Sequence, residues 1–328
     1  MELFTFVLIT IASILAIGKG SDWLTDSLIP LARKLGVSRS SLGLLLVSAA
    51  VSLPEILVAV FATLKGYPAI SLGVILGSII CNIGLMTGFS ATIKSLSVST
   101  PIILRDGVFS IIVPILVLAV GADGQITRFE GLALFLLFIP YVINVMLHER
   151  LSSPEQKEKH IEEMMIELNL IGFDFGKLKP GWFTFALGLG LLLGGTQLFG
   201  SQLIGIAEHF GINQLLIGLT LGAFGPSIPN IMAAYNATTK GMGEIAVSET
   251  FGSNIFTLLV TLGISAMLAP IVISEAWLQF DIPVLIVMSF VLFIFSVSHK
   301  RVTRGEGVIL MTTYIGIVIV QIMKNYGW

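Results

Sequence analysis

The chain has 328 residues, 55% of them hydrophobic and only 12% charged, with a formal net charge of −2. Soluble domains carry about a quarter charged residues, so the composition excludes an ordinary soluble globule, and the charge argues against a nucleic-acid partner. One cysteine, Cys81, excludes an internal disulfide.

Apolar stretches fall near residues 3–28, 42–64, 69–92, 101–120, 129–147, 181–208, 214–238, 245–269, 281–298 and 305–323. Each approaches the ~20 residues that a helix needs to cross hydrocarbon. Lipid leaves the backbone few alternatives to helix, so ten transmembrane helices are predicted. The first run lacks a basic leader and a small-residue cleavage site, so it is expected as a retained span. The polar stretch 148–180 divides the ten spans five and five and is expected to be a solvated linker with a short amphipathic helix.

Fourteen of the eighteen Lys and Arg residues lie on alternate connections, beginning with the one after the first span. Lys65, Arg128 and Lys324 fall on the other side, and Lys19 lies inside the first span. Positive residues mark the cytoplasm. The expectation is a multi-pass protein of the cell membrane with both termini extracytoplasmic and the linker cytoplasmic.

Residues 36–91 and 211–266 align without a gap at a shift of 175. Among the identities are Ser52/Ser227, Pro54/Pro229, Lys65/Lys240, Gly66/Gly241, Gly77/Gly252, Ser78/Ser253 and Gly88/Gly263. Shared apolar bias does not produce matched Pro, Ser, Lys and Gly. An odd number of spans per half forces the second copy to cross in the opposite sense. The predicted fold is thus an all-α membrane protein: two inverted five-helix repeats, 1–147 and 181–328, joined by the linker 148–180, with broken helices at the midplane. Such repeats are a transporter signature, with the ion site between the halves.

The repeated stretches VSLPEILVA (51–59) and PSIPNIMAA (226–234) carry the chemistry. Proline lacks an N–H and clashes with the carbonyl four residues back, so Pro54, Pro226 and Pro229 are predicted to break their helices and free carbonyl oxygens. Ser52 and Ser227 add hydroxyls, and Glu55 and Asn230 follow at equivalent positions. A charge at membrane depth costs about 3 kcal/mol on insertion scales and is functional by default. The next span of each half holds Gly77-Ser78 and Gly252-Ser253, where unwinding and close approach are expected. Asn82 and Thr257 follow each Ser by four residues, on the same helical face, and Asn254 adds another oxygen. Glu249, whose repeat mate is Val74, lies four residues before Ser253 and looks into the same cavity or toward a helix end. Oxygen-only ligands suit hard cations such as Ca²⁺ and Na⁺. His148, His160, His209 and His299 are scattered and form no transition-metal cluster. Phosphate-binding loops and nucleophile motifs are absent, so neither ATP-driven transport nor hydrolysis is supported.

Ten spans, two inverted halves, the paired SLPE-like and GS…N motifs and the stretch GSDWL (20–24) resemble the cation/calcium antiporter superfamily, and most closely its prokaryotic sodium/calcium exchangers. The resemblance implies alternating-access exchange of Ca²⁺ for Na⁺ or H⁺, with no cofactor beyond the transported ions. It casts Glu55 as the acid of a central Ca²⁺ site and Ser52, Ser78, Asn82, Ser227 and Ser253 as oxygen donors. The chain departs from the family pattern at Val51, Pro226, Asn230, Thr257 and Glu249, where the family carries Thr, Thr, Glu, often Asp, and Asn. Two other readings stay open: a monovalent cation exchanger on the same fold, and a non-transporting homologue acting as sensor or partner subunit.

Overall fold

The computed structural model describes residues 2–34, 52–151 and 178–325. Its helices are α1 (Glu2–Lys34), α2 (Leu53–Leu64), α3 (Pro68–Ile93), α4 (Thr100–Asp123), α5 (Arg128–Leu151), α6 (Trp182–Phe210), α7 (Gln214–Thr239), α8 (Gly243–Leu268), α9 (Trp277–His299) and α10 (Arg304–Asn325). Nine of them are long and apolar enough to cross a membrane; α2 is shorter. The first part of the predicted span 42–64 lies outside the described residues, as does most of the linker. The helix α5 continues through Leu151, past the predicted linker boundary at 148.

The matched Lys-Gly pairs have a local cause. After α2, Gly66 takes φ +85°, Gly66 N donates to Thr63 O (3.0 Å), and Tyr67 N donates to Ala62 O (2.9 Å). After α7, Gly241 takes φ +86°, with Gly241 N on Thr238 O (3.0 Å) and Met242 N on Ala237 O (2.9 Å). Both are Schellman caps, which need a residue tolerant of the left-handed conformation.

Two-residue strands punctuate the connections. Strand β1 (Leu96–Ser97) pairs antiparallel with β4 (Arg301–Val302), and β2 (Gln125–Ile126) with β3 (Ile271–Val272). The helix α4 therefore runs from the β1/β4 ribbon to the β2/β3 ribbon, while α9 runs from β3 back to β4. The strands β2 and β4 each lead into a capping box: Thr127 with Glu130 opens α5, and Thr303 with Glu306 opens α10.

Glycines set the helix crossings. A Cβ on Gly20 of α1 would lie 2.5 Å from Leu192 N of α6, and one on Gly188 would lie 2.6 Å from Leu24 N. The helix α5 meets α8 through Gly131 and Gly263, and α10 meets α3 through Gly307 and Gly88. Gly88 and Gly263 are repeat mates, so each half's fifth helix packs on the other half's third. A Cβ on Gly73 of α3 would lie 2.7 Å from Leu215 O and 2.8 Å from Gly218 Cα of α7. Small residues permit such backbone contact, the main source of helix affinity in lipid.

Two expectations about broken helices are corrected. The helix α7 continues α-helical through Pro226 and Pro229; its irregularity is a π-helical segment, Gly218–Gly222, just upstream. That wider turn ends at Gly222, whose carbonyl the Pro226 ring would otherwise crowd. Pro54 lies in the first turn of α2; the residues before Ser52, where its break was expected, lie outside the described residues. The helices α3 and α8 stay helical across Gly77-Ser78 and Gly252-Ser253 instead of unwinding. The departures start at the later repeat pair, with π-helical segments Asn82–Thr87 and Thr257–Thr261. The close approach does hold at Gly77, where a Cβ would lie 2.6 Å from Leu219 O.

Candidate functional site

Four helices bring the predicted site residues to the centre of the molecule. The first half contributes Ser52 and Glu55 at the start of α2 and Ser78 and Asn82 in α3. The second contributes Ser227 and Asn230 in α7, and Glu249, Ser253 and Thr257 in α8. All are buried except Glu249, which is partly exposed.

The contacts cross between halves. Asn230 Nδ2 donates to Glu55 Oε1 at 3.0 Å, and Ser227 Oγ reaches the same oxygen at 3.5 Å. Glu55 and Asn230 are repeat mates, so the two SxPE/N turns meet face to face. Asn82 Nδ2 donates to Ser253 Oγ at 3.3 Å. The same two helices, α3 and α8, also touch where the Thr87 and Thr250 hydroxyls lie 2.5 Å apart and where Ser71 Oγ donates to Ser265 Oγ at 3.4 Å. Ser78 turns away from this network and donates to Val74 O of its own helix at 2.6 Å. The Ser52 side chain makes no capping bond; its carbonyl accepts from Ile56 N at 3.1 Å. Glu249 is the seventh residue of α8, one turn before Ser253.

Among the described residues, Glu55 Oε2, Asn82 Oδ1, Asn254 Oδ1 and the Thr257 and Thr261 hydroxyls find no hydrogen-bond partner. Buried polar atoms are normally satisfied, and an orphaned carboxylate oxygen is the costliest of these.

The buried carboxyls elsewhere in the membrane helices behave differently. Asp106, in a π-helical segment of α4, accepts two 2.7 Å bonds from Arg105 and a 3.1 Å bond from the Tyr141 hydroxyl. Its mate at the same shift of 175, Asp281, lies in the matching segment of α9 and accepts from Gln321. Sequence reading missed both, although the shift that revealed the central motifs also aligns them. Asp106 is paired with a base, and Asp281 is held by an amide donor. Glu55 is 1% exposed, and among the described residues no Lys, Arg or His forms an ion pair with it. Nor do the described residues hold a cluster of three or more His, Cys, Asp or Glu. The chemistry on offer is a buried carboxyl in a shell of neutral oxygens, which suits a mobile hard cation.

The profile of the sodium/calcium exchanger protein family matches residues 5–147 and 180–323. CaxA of Alkalimonas amylolytica is 34% identical, with 87% of this chain and 89% of that one covered. The sodium/calcium exchanger MaX1 of Methanosarcina acetivorans is 30% identical, over 95% of this chain and 97% of that one. A structure of the sodium-calcium exchanger NCX_Mj, soaked with 2.5 mM Na⁺ and 10 mM Sr²⁺, superposes with a TM-score of 0.65 at 26% identity, covering 97% of this chain and 98% of that one. Matched in both halves by the family profile, and sharing length and fold with these relatives, the chain belongs to the sodium/calcium exchanger protein family and is a membrane cation antiporter, not an enzyme.

Proposed function

We propose that this antiporter exchanges Ca²⁺ for Na⁺ or protons by alternating access, at a site centred on Glu55. The observation that carries the reading is the Glu55 carboxyl itself: buried and, among the described residues, without a basic partner and with no donor to Oε2. Such a group is costly in lipid unless a cation or proton neutralises it. Each ion set neutralises Glu55 in turn, and only the neutralised site passes between the two faces. That rule makes the two fluxes obligatorily coupled.

The architecture proposed for this cycle is ten spans in two inverted halves, 1–147 and 181–328, with both termini extracytoplasmic and the 148–180 linker in the cytoplasm. The opposite courses of α4 and α9 between the two ribbons support the inversion. So do the matched Schellman caps, and the reciprocal packing of each fifth helix on the other half's third helix. In this scheme Ser52, Ser78, Asn82, Ser227, Ser253 and Thr257 supply neutral oxygens around Glu55 and Asn230.

A monovalent exchanger is the competing reading, because Asn230 puts a carboxamide where a second acid would strengthen divalent binding. Proteoliposomes loaded with Na⁺ and diluted into ⁴⁵Ca²⁺ decide between them. Sodium-driven ⁴⁵Ca²⁺ accumulation is expected, with a proton gradient as the alternative driver. Na⁺ or K⁺ flux with no Ca²⁺ uptake under either gradient would overturn the calcium assignment.

A further inference from the structure

We propose that Glu249 supplies the second negative charge of the ion site, standing in from α8 for the acid that the internal repeat would place at residue 230 of α7. The inference rests on the reading of Glu55 as the ion-binding carboxylate.

The internal repeat exposes the displacement. Glu55 is matched by Asn230, and Glu249 by Val74. Apart from Glu244, which accepts from Ser99 N in the first turn of α8, each half places one acid in its central helix pair, but on different helices of the pair. The first half uses the Pro-containing helix and the second uses the helix after it.

The geometry gives both residues a reason. Asn230 turns its amide N–H onto Glu55 Oε1 at 3.0 Å. The amide holds Glu55 in position without adding a charge of its own. Glu249 lies one helical turn before Ser253, on the same face of α8.

Neutral oxygens accompany the two acids. Ser253 and Thr257 follow Glu249 by one and two turns of α8, and Ser253 is tied to Asn82 across the interface. Among the described residues, Asn82 Oδ1, Thr257 Oγ1 and Glu55 Oε2 are all buried and find no donor. A cation among them would meet neutral oxygens and both carboxylates. Two charges match one divalent ion or two monovalent ones; with one charge removed, the site matches a single monovalent ion.

The test is a charge swap in the full-length chain, read as ⁴⁵Ca²⁺ and ²²Na⁺ exchange in proteoliposomes. Glu249→Asn is expected to cut Ca²⁺ exchange about tenfold or more while sparing Na⁺ exchange, because affinity for Ca²⁺ follows ligand charge. Asn230→Glu alone, with three acids, also slows exchange. The double swap Asn230→Glu with Glu249→Asn restores two charges and is expected to recover Ca²⁺ exchange to within about threefold of the parent, a non-additivity expected only of coupled sites. A merely structural Glu249 predicts no such rescue. Glu249→Gln, which keeps the shape, is the control for folding. The proposal is overturned if Glu249→Asn and Glu249→Gln leave Ca²⁺ exchange intact, or if the double swap is no better than the worse single variant. Should Glu55→Gln also leave exchange intact, the reading of the site falls with it; should Glu55→Gln alone abolish exchange, only the role of Glu249 falls.

Discussion

Glu55→Gln is expected to abolish cation exchange while leaving the protein folded. The amide has nearly the shape of the acid and keeps an oxygen for the Asn230 N–H, but it carries no charge. Losing the one central carboxylate is expected to lower Ca²⁺ exchange about a hundredfold or more, the equivalent of ~3 kcal/mol of binding. In the absence of ions the same change relieves a buried, unbalanced charge, so the melting temperature in detergent is expected to hold or rise. The combination is diagnostic. A carboxylate kept for packing would give the reverse: a lower melting temperature with exchange per folded molecule retained. Uptake assays and a thermal melt on one preparation read both.

Gly73→Val is expected to be as severe by another route. Its Cβ would lie within 2.8 Å of backbone atoms of Leu215 and Gly218, and a Cβ on Gly218 would lie 2.5 Å from Ile70 O. Backbone has no rotamer with which to give way, so α3 and α7 are pushed apart where the halves meet. Overpacking costs about 1–3 kcal/mol in soluble cores where side chains adjust, and this contact has no side chain to adjust. The expected result is loss of the monodisperse peak in size-exclusion chromatography, or a fall of many degrees in melting temperature. Gly316, which has open space around its Cβ position, is the matching control, and Gly316→Ala is expected to be tolerated. An unchanged melt for Gly73→Val would show that the crossing is looser than the coordinates draw it.

What could be read from the sequence follows from how each feature is encoded. Helices that cross lipid are encoded by composition over long windows, and nine predicted spans match described helices to within a few residues. The repeat was legible because caps and crossings demand specific residues. Lys65-Gly66 and Lys240-Gly241 recur because a Schellman cap needs a permissive left-handed position; Gly88 and Gly263 recur because two backbones touch. The capping boxes TRFEG (127–131) and TRGEG (303–307) were just as legible but lie at a shift of 176, one residue off the ungapped register.

Backbone detail was harder. A π-helical turn uses the same apolar residues as an α-helical one, so the segments at Asn82–Thr87 and Thr257–Thr261 leave no compositional mark. Pro226 and Pro229 suggested breaks that the structure absorbs after a widened turn. At the site, residue identity pointed to the right neighbours. Glu55, Ser227 and Asn230 meet, as do Asn82 and Ser253, because motifs repeated about an interface meet their own mates there. Hydroxyl direction was not encoded: Ser78 bonds its own backbone, as serine in an apolar helix readily does.

The most direct measurement is anomalous scattering from crystals grown in Sr²⁺ or Ca²⁺. The account predicts a single strong peak about 2.3–2.6 Å from a Glu55 carboxylate oxygen, lying between α2–α3 and α7–α8 and lost in Glu55→Gln crystals. A bound ion elsewhere in the protein, with the Glu55 side chain turned to lipid or tied only to protein donors, would contradict it.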